Sequence, residues 1–188
     1  MKVFYRDYMK EPEVIEDYKF PVKPFKPKIL PNKEELKIFY DALGDKHKLY
    51  FIMLASSGLR VSEFLNADIY KNNRMLIPQS HEGSTKRSWV SFYNEEASAL
   101  LKDEVPKITV DGLNHAFKRV SKKTGVHIYP HLLRAVFAQE MGLRQVPDRF
   151  IDAFCGRVPS SVLARNYSDY SPEALKKIYE NANLKYFS

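Results

Sequence analysis

Basic side chains, a histidine and tyrosines follow one another in this chain in an order suited to cutting a phosphodiester bond without a metal ion. Arg60 follows a glycine turn and opens an amphipathic run, while His131 and Arg134 lie three residues apart and share a helical face. A scissile phosphate gains negative charge in the transition state. Two arginines stabilise that charge because their planar groups bond oxyanions bidentately and stay protonated. A phenol can then hold the phosphate covalently, and a lysine can protonate the leaving 5′ oxygen.

The phenol predicted to attack is that of Tyr167. It ends the stretch 156–167, in which a short helix is expected to follow a glycine-closed helix. Tyr170 stays open as a rival three residues further on, because the chain has 12 tyrosines and most of them must serve packing. A phenol loses its proton only near pH ~10, so the arginines must assist it.

The proton donor predicted for the leaving oxygen is Lys86, in the polar loop 79–87 between two expected strands. Arg87 is the neighbouring alternative, but its high pKa makes it a poor proton donor. A solvated loop lysine with no role in catalysis is the other interpretation of Lys86.

Two further residues near these candidates are given lesser roles. Glu63, three residues after Arg60, is expected to orient rather than react, since a carboxylate close to the phosphate would repel it. His127 and His131 are four apart, which is one metal-ligand spacing, but Pro130 interrupts that turn and no acidic motif follows. We therefore expect no metal and no cofactor.

Three short motifs in this order resemble the catalytic boxes of the tyrosine recombinases, the family of phage integrases and chromosome-dimer resolvases. They are Ser57-Gly58-Leu59-Arg60 with Ser62-Glu63, the His131-x-x-Arg134 pair, and Gly156-Arg157 followed by Tyr167. The resemblance covers roughly residues 31–183 and implies a catalytic set of Arg60, Lys86, His131, Arg134, Arg157 and Tyr167, with the lysine carried on a β-hairpin that reaches the DNA minor groove.

Arg157 is the one departure from the family pattern, which usually has histidine or tryptophan after that glycine. An arginine can bond the scissile phosphate but cannot act as a neutral base at pH 7. Any base duty is therefore expected to fall on His131, which otherwise hydrogen-bonds the phosphate. The sequence Gly156-Arg157-Val158-Pro159 resembles most the integrases of archaeal spindle-shaped viruses.

The resemblance implies a site-specific DNA recombinase or integrase that works through a 3′-phosphotyrosine intermediate. Its expected partners are double-stranded DNA at attachment sites and further copies of itself, as a tetramer in the synaptic complex. A type IB topoisomerase uses the same kinds of residue and stays an alternative, as does a basic DNA-binding module without catalysis.

Composition agrees with a polyanionic partner. The chain has 188 residues, 30 Lys and Arg against 23 Asp and Glu, and a net charge of +7. Its single cysteine, Cys155, cannot form an internal disulfide, which fits a reducing compartment. No long apolar segment predicts a membrane span or a secretory signal. We therefore expect an intracellular protein, in the host cytoplasm or nucleoid.

The patterning predicts an α+β fold, mostly helical with one small antiparallel sheet. Residues 1–29 form an expected basic, proline-rich linker or N-terminal extension, with a disordered terminus left open before Pro21; residues 30–188 form the expected catalytic domain. Whether the chain is a fragment of a longer integrase and lacks an N-terminal DNA-binding domain stays open. Helices are predicted from Asn32 to Gly44 and over 49–57, 61–66, 94–101, 110–124, 130–143, 148–154 and 171–183, and strands over 74–78 and 88–92.

The C-terminal helix has an apolar face that continues into a tail with Leu184, Tyr186 and Phe187. Two interpretations stay open for this tail. It packs onto its own domain, or it docks on a neighbouring protomer during assembly on DNA.

Overall fold

The computed structural model describes residues 8–10, 24, 28–79, 89–102, 105–157 and 168–187. Their fold is helical with one three-stranded antiparallel sheet, so the predicted α+β class is confirmed. In chain order the elements are α1 (Lys33–Asp41), α2 (Asp45–Ser57), α3 (Val61–Leu65), β1 (Ala67–Tyr70), a 3₁₀ turn (Lys71–Asn73), β2 (Met75–Pro78), β3 (Ser91–Phe92), α4 (Glu95–Leu100), α5 (Val110–Thr124), α6 (Pro130–Leu143), α7 (Asp148–Phe154) and α8 (Pro172–Ala182).

Helix α2 is the centre of the core. Every residue from Leu49 to Ser57 is buried, and the helix packs against α1, α4, α6 and β3. A helix that is apolar around its whole circumference has no solvent face and must be surrounded. Three phenylalanines from α1, α2 and α5 meet beside it with ring centroids 5.2–6.1 Å apart: Phe39, Phe51 and Phe117.

The sheet has the strand order β1-β2-β3, with Ala67 opposite Pro78 and Leu76 opposite Ser91. The sequence predicted β2 and β3, although Trp89 and Val90 of the predicted strand 88–92 lie outside β3. Strand β1 was missed. Its four residues alternate between partly buried and exposed, and their strand conformation depends on pairing with β2 rather than on local propensity.

Most helix boundaries follow local signals and are confirmed. Helices α5, α6 and α7 span the predicted residues, and Asn32 forms a capping box with Glu35 at the start of α1. Helix α2, however, begins at Asp45, four residues before the predicted start. Its first turn is polar and exposed in part, so the apolar pattern did not include it.

The C-terminal tail packs on its own domain in this single chain. Leu184 and Tyr186 are buried, and Phe187 stacks beside Tyr40 at 4.5 Å between ring centroids. The carboxylate of Glu96 accepts the backbone N–H groups of Tyr186 and Phe187 at 2.9 and 2.7 Å. The first of the two interpretations of the tail therefore holds for the isolated chain.

Most of the predicted linker 1–29 lies outside the described residues, so the predicted domain boundary stays a prediction. In the described part of the chain no helix is both long enough and apolar enough to span a membrane.

Candidate active site

The turn after α2 fixes the first arginine. Gly58 ends the helix with a positive φ of 66°, a conformation that glycine adopts without strain. A Cβ on this residue would lie 2.3 Å from Cδ1 of Phe137, so the backbone passes directly over that ring. Arg60 follows at the N-cap of α3 with a side chain 26% exposed. The predicted buried turn is confirmed, and the side chain of Arg60 at its end is partly exposed to solvent.

Arg134 reaches the same turn from α6. Its side chain is 3% exposed, Nη1 donates to the carbonyl of Gly58 at 2.8 Å, and Nη2 donates to the carbonyl of Cys155. Arg134 is therefore not a solvated surface arginine. A guanidinium has five N–H donors, so bonds to two carbonyls leave capacity for a phosphate oxygen.

Glu63 lies between the two arginines. One carboxylate oxygen pairs with the guanidinium of Arg60, and the other accepts the Arg60 backbone N–H at 2.8 Å. That second oxygen lies 3.6 Å from Nη1 of Arg134. A partly buried carboxylate in this position compensates two positive charges and orients both side chains, as its spacing indicated.

His131 lies one turn before Arg134, at the exposed start of α6. Partial burial lowers the pKa of its imidazole, and the charges of Arg134, Lys28, Arg60 and Arg157 lower it further. At neutral pH the ring is therefore uncharged and has a lone pair that can accept a proton. The contribution of Lys28 was missed by the sequence analysis, which treated it only as part of a basic linker.

Arg157 completes the group from the end of α7. It is 54% exposed, and Nη1 lies 3.3 Å from a carboxylate oxygen of Asp152. Its charge contributes, after burial, to lowering the pKa values of both His131 and Arg134. Burial raises the pKa of the neighbouring Cys155 thiol, so the contribution of this cysteine is its carbonyl and not a thiolate.

The structure thus brings together four of the six predicted site residues, Arg60, His131, Arg134 and Arg157. The other two, Lys86 and Tyr167, lie outside the described residues. Trp89 lies three positions after Lys86, and Tyr170 lies three positions after Tyr167. These two described residues are in contact, because Nε1 of Trp89 donates to the carbonyl of Tyr170 at 3.2 Å. The ring of Tyr170 packs edge-on against Phe150 at 5.9 Å.

Several other tyrosines are unsuited to be nucleophiles. Burial raises the pKa of Tyr50, Tyr93, Tyr179 and Tyr186, so these phenols stay protonated. Each lies in the core and cannot approach a phosphate in solvent. Among the described residues no cluster of three or more histidine, cysteine, aspartate or glutamate side chains is arranged to hold a metal ion.

Comparison with known proteins finds similarity to tyrosine recombinases. No protein-family model matches the chain. The tyrosine recombinase XerA of Pyrococcus horikoshii is 28% identical over 178 residues, which is 84% of this chain and 62% of that protein. XerA of Saccharolobus solfataricus is 30% identical over 105 residues, half of this chain and 35% of that protein, and XerA of Thermococcus kodakarensis is 26% identical over 92% of this chain and 70% of its own length.

The chain is similar to archaeal tyrosine recombinases over most of its length. The crystal structure of a XerA recombinase aligns with 95% of the chain at a TM-score of 0.56 and 21% sequence identity, which shows the shared fold. The chain spans about 62% of the length of the Pyrococcus relative. The family likeness accounts for the order of the three motifs, while the tertiary structure shows which carbonyls and carboxylate hold the arginines.

Proposed function

We propose that this chain is the catalytic domain of a site-specific DNA recombinase that cleaves and rejoins DNA through a phosphotyrosine. One observation carries the proposal. Arg60 and Arg134, from separate segments, share the carboxylate of Glu63, and the charges of both and of Arg157 act on the imidazole of His131. The carboxylates of Glu63 and Asp152 offset the charge of these three arginines only in part, and a phosphodiester is a further anion with oxygens in the right number for bidentate arginines.

In the first step of the proposed reaction, the phenol oxygen of Tyr167 attacks the phosphorus, and the bond from phosphorus to the 5′ oxygen breaks. The phenol proton passes to the neutral ring of His131, and Lys86 gives a proton to the departing 5′ oxygen. Arg60 and Arg134 stabilise the charge that develops on the non-bridging oxygens.

The second step reverses the first with a different strand. A 5′ hydroxyl attacks the phosphotyrosine, the DNA backbone is restored, and Tyr167 regains its proton. The energy of the broken bond is kept in the covalent link, so the proposal requires no nucleotide cofactor and no metal. Arg157 contributes charge to the phosphate site in the place where the family usually has a histidine or tryptophan.

A nicked duplex tests the proposal, because the short strand released by cleavage diffuses away and traps the covalent adduct. We expect a denaturation-resistant protein–DNA adduct in the presence of EDTA, mapping by peptide analysis to Tyr167. Tyr167→Phe should abolish the adduct and leave DNA binding nearly unchanged, since it removes the nucleophilic oxygen but no charge. Tyr170→Phe is the matched control and should still form adduct.

Other results of the same experiment identify the alternatives. Absence of any adduct, with retained DNA binding, would indicate a binding module. Adduct formation with relaxation of supercoils, but no joining of two sites, would indicate a topoisomerase.

We further propose that active assemblies contain several protomers, four in the synaptic complex, and that the substrate sites serve integration of a viral genome.

A further inference from the structure

The carboxyl end of α2 is held by an unusual set of side chains. A helix leaves its last carbonyl groups without partners in the helix. At α2 the backbone N–H of Gly58 satisfies only the carbonyl of Leu54, at 3.3 Å. The next four carbonyls in the chain, those of Ala55, Ser56, Ser57 and Gly58, are here named the terminal carbonyls.

Each terminal carbonyl accepts a hydrogen bond from a side chain of a different part of the fold. Tyr186 in the tail donates to Ala55 at 2.6 Å, and Tyr179 in α8 donates to Ser56 at 2.8 Å. Ser91 in β3 donates to Ser57, and Arg134 in α6 donates to Gly58 at 2.8 Å. All four donors are buried, so water cannot replace a bond that is lost.

This series of bonds ends at the catalytic arginines. Arg134 is itself the last donor, and Arg60 is two residues beyond the last acceptor. The two tyrosines are well suited to hold the series, because burial raises the pKa of both phenols and keeps them as hydrogen-bond donors.

The tail that carries Tyr186 is itself fixed at several points. Besides the two backbone bonds to Glu96, the side-chain amide of Asn94 donates to the carbonyl of Leu184 at 3.2 Å and to Glu96 at 2.9 Å. These bonds hold the tail in the position from which the hydroxyl of Tyr186 reaches the carbonyl of Ala55 at the end of α2.

We propose that Tyr179 and Tyr186 are positioning residues, which set the turn of Arg60 and the guanidinium of Arg134 through the terminal carbonyls. This inference rests on the proposed recombinase function. It concerns buried hydroxyl groups that are bonded to backbone carbonyls.

The test uses Tyr179→Phe and Tyr186→Phe, which remove one oxygen each and keep the rings. Tyr50→Phe is the matched control, because the hydroxyl of Tyr50 also donates to a backbone carbonyl, that of Pro106, away from the site. Tyr93→Phe is a second control, because its buried hydroxyl has no hydrogen-bond partner among the described residues. Thermal unfolding of all four variants establishes that they fold.

We expect the two test variants to cleave a nicked duplex at least about tenfold more slowly at saturating DNA, with unchanged DNA affinity, since misplacing a reacting group by about 1 Å costs about a hundredfold. The controls should cleave at the wild-type rate. Cleavage by folded Tyr179→Phe and Tyr186→Phe at the rate of Tyr50→Phe would overturn the proposal.

A titration of His131 by NMR, without DNA, separates this inference from the proposed function. Its pKa is lowered first by burial and then by the charges of Arg134, Lys28, Arg60 and Arg157, so displacement of the arginines should raise it in the two test variants and not in the controls. If the wild-type chain forms no adduct, the proposed function fails, and an unshifted His131 pKa in both test variants then overturns the positioning role as well.

Discussion

Gly58→Ala is the substitution whose cost the structure defines best. The residue has a φ of 66°, and an added Cβ would lie 2.3 Å and 2.6 Å from two ring carbons of Phe137. The left-handed conformation costs a residue with a side chain about 1–2 kcal/mol. Carbon atoms pack at about 3.5–4.0 Å, so the ring or the turn must move by more than about 1 Å, and overpacking of this kind costs about 1–3 kcal/mol.

The sum is about 2–5 kcal/mol, a large part of the about 5–15 kcal/mol that stabilises a typical domain. Gly125→Ala is the matched control, because Gly125 also ends a helix with a positive φ, of 75°, but nothing lies within 4 Å of its added Cβ. It should lose only the conformational part, about 1–2 kcal/mol.

Urea denaturation of both variants measures these free energies of unfolding. Replacing the ring by the smaller leucine side chain, with Phe137→Leu in the Gly58→Ala background, should restore part of the lost stability if overlap between the added Cβ and the ring is the cause. Cleavage should fall as well, because the carbonyl of Gly58 holds Arg134. Equal destabilisation by Gly58→Ala and Gly125→Ala would refute the contact with Phe137 as the reason for this glycine.

Four further predictions concern the site. Arg60→Ala and Arg134→Ala should each lower the cleavage rate by about 10²–10³ with little change in affinity for DNA. Only Arg134→Ala should also lower the unfolding temperature clearly, because it leaves two buried carbonyls unpaired. Lys86→Ala should regain cleavage on a substrate whose leaving 5′ oxygen is replaced by sulfur, which departs without a proton; no rescue would limit this lysine to backbone contact. Because the pKa of His131 is lowered in the folded chain, the unfolded chain binds its proton more readily, and stability should fall as pH drops below about 6.5, less steeply in His131→Gln. Affinity for duplex DNA should fall steeply with salt, as counterion release requires, and a salt-independent dissociation constant would contradict a phosphate-binding surface.

Local signals in the sequence determined most of the helices. Pro130 can open a helix because its missing N–H needs no partner there, and Gly125 can end one because it adopts a positive φ. Spacing also placed His131 and Arg134 on one face, and the family likeness placed Arg60 beside them. These features depend on residues a few positions apart, which is the range over which a sequence can be interpreted directly.

Contacts between distant segments were decided only by the tertiary structure. Strand β1 forms because β2 pairs with it, and Lys28 acts on His131 across about a hundred residues of chain. The acceptors that hold Arg134 are backbone carbonyls of Gly58 and Cys155, and a carbonyl is present at every position, so residue type carries no signal for it. For the same reason the sequence does not predict the roles proposed for Tyr179 and Tyr186, since their partners are likewise backbone atoms brought close by folding.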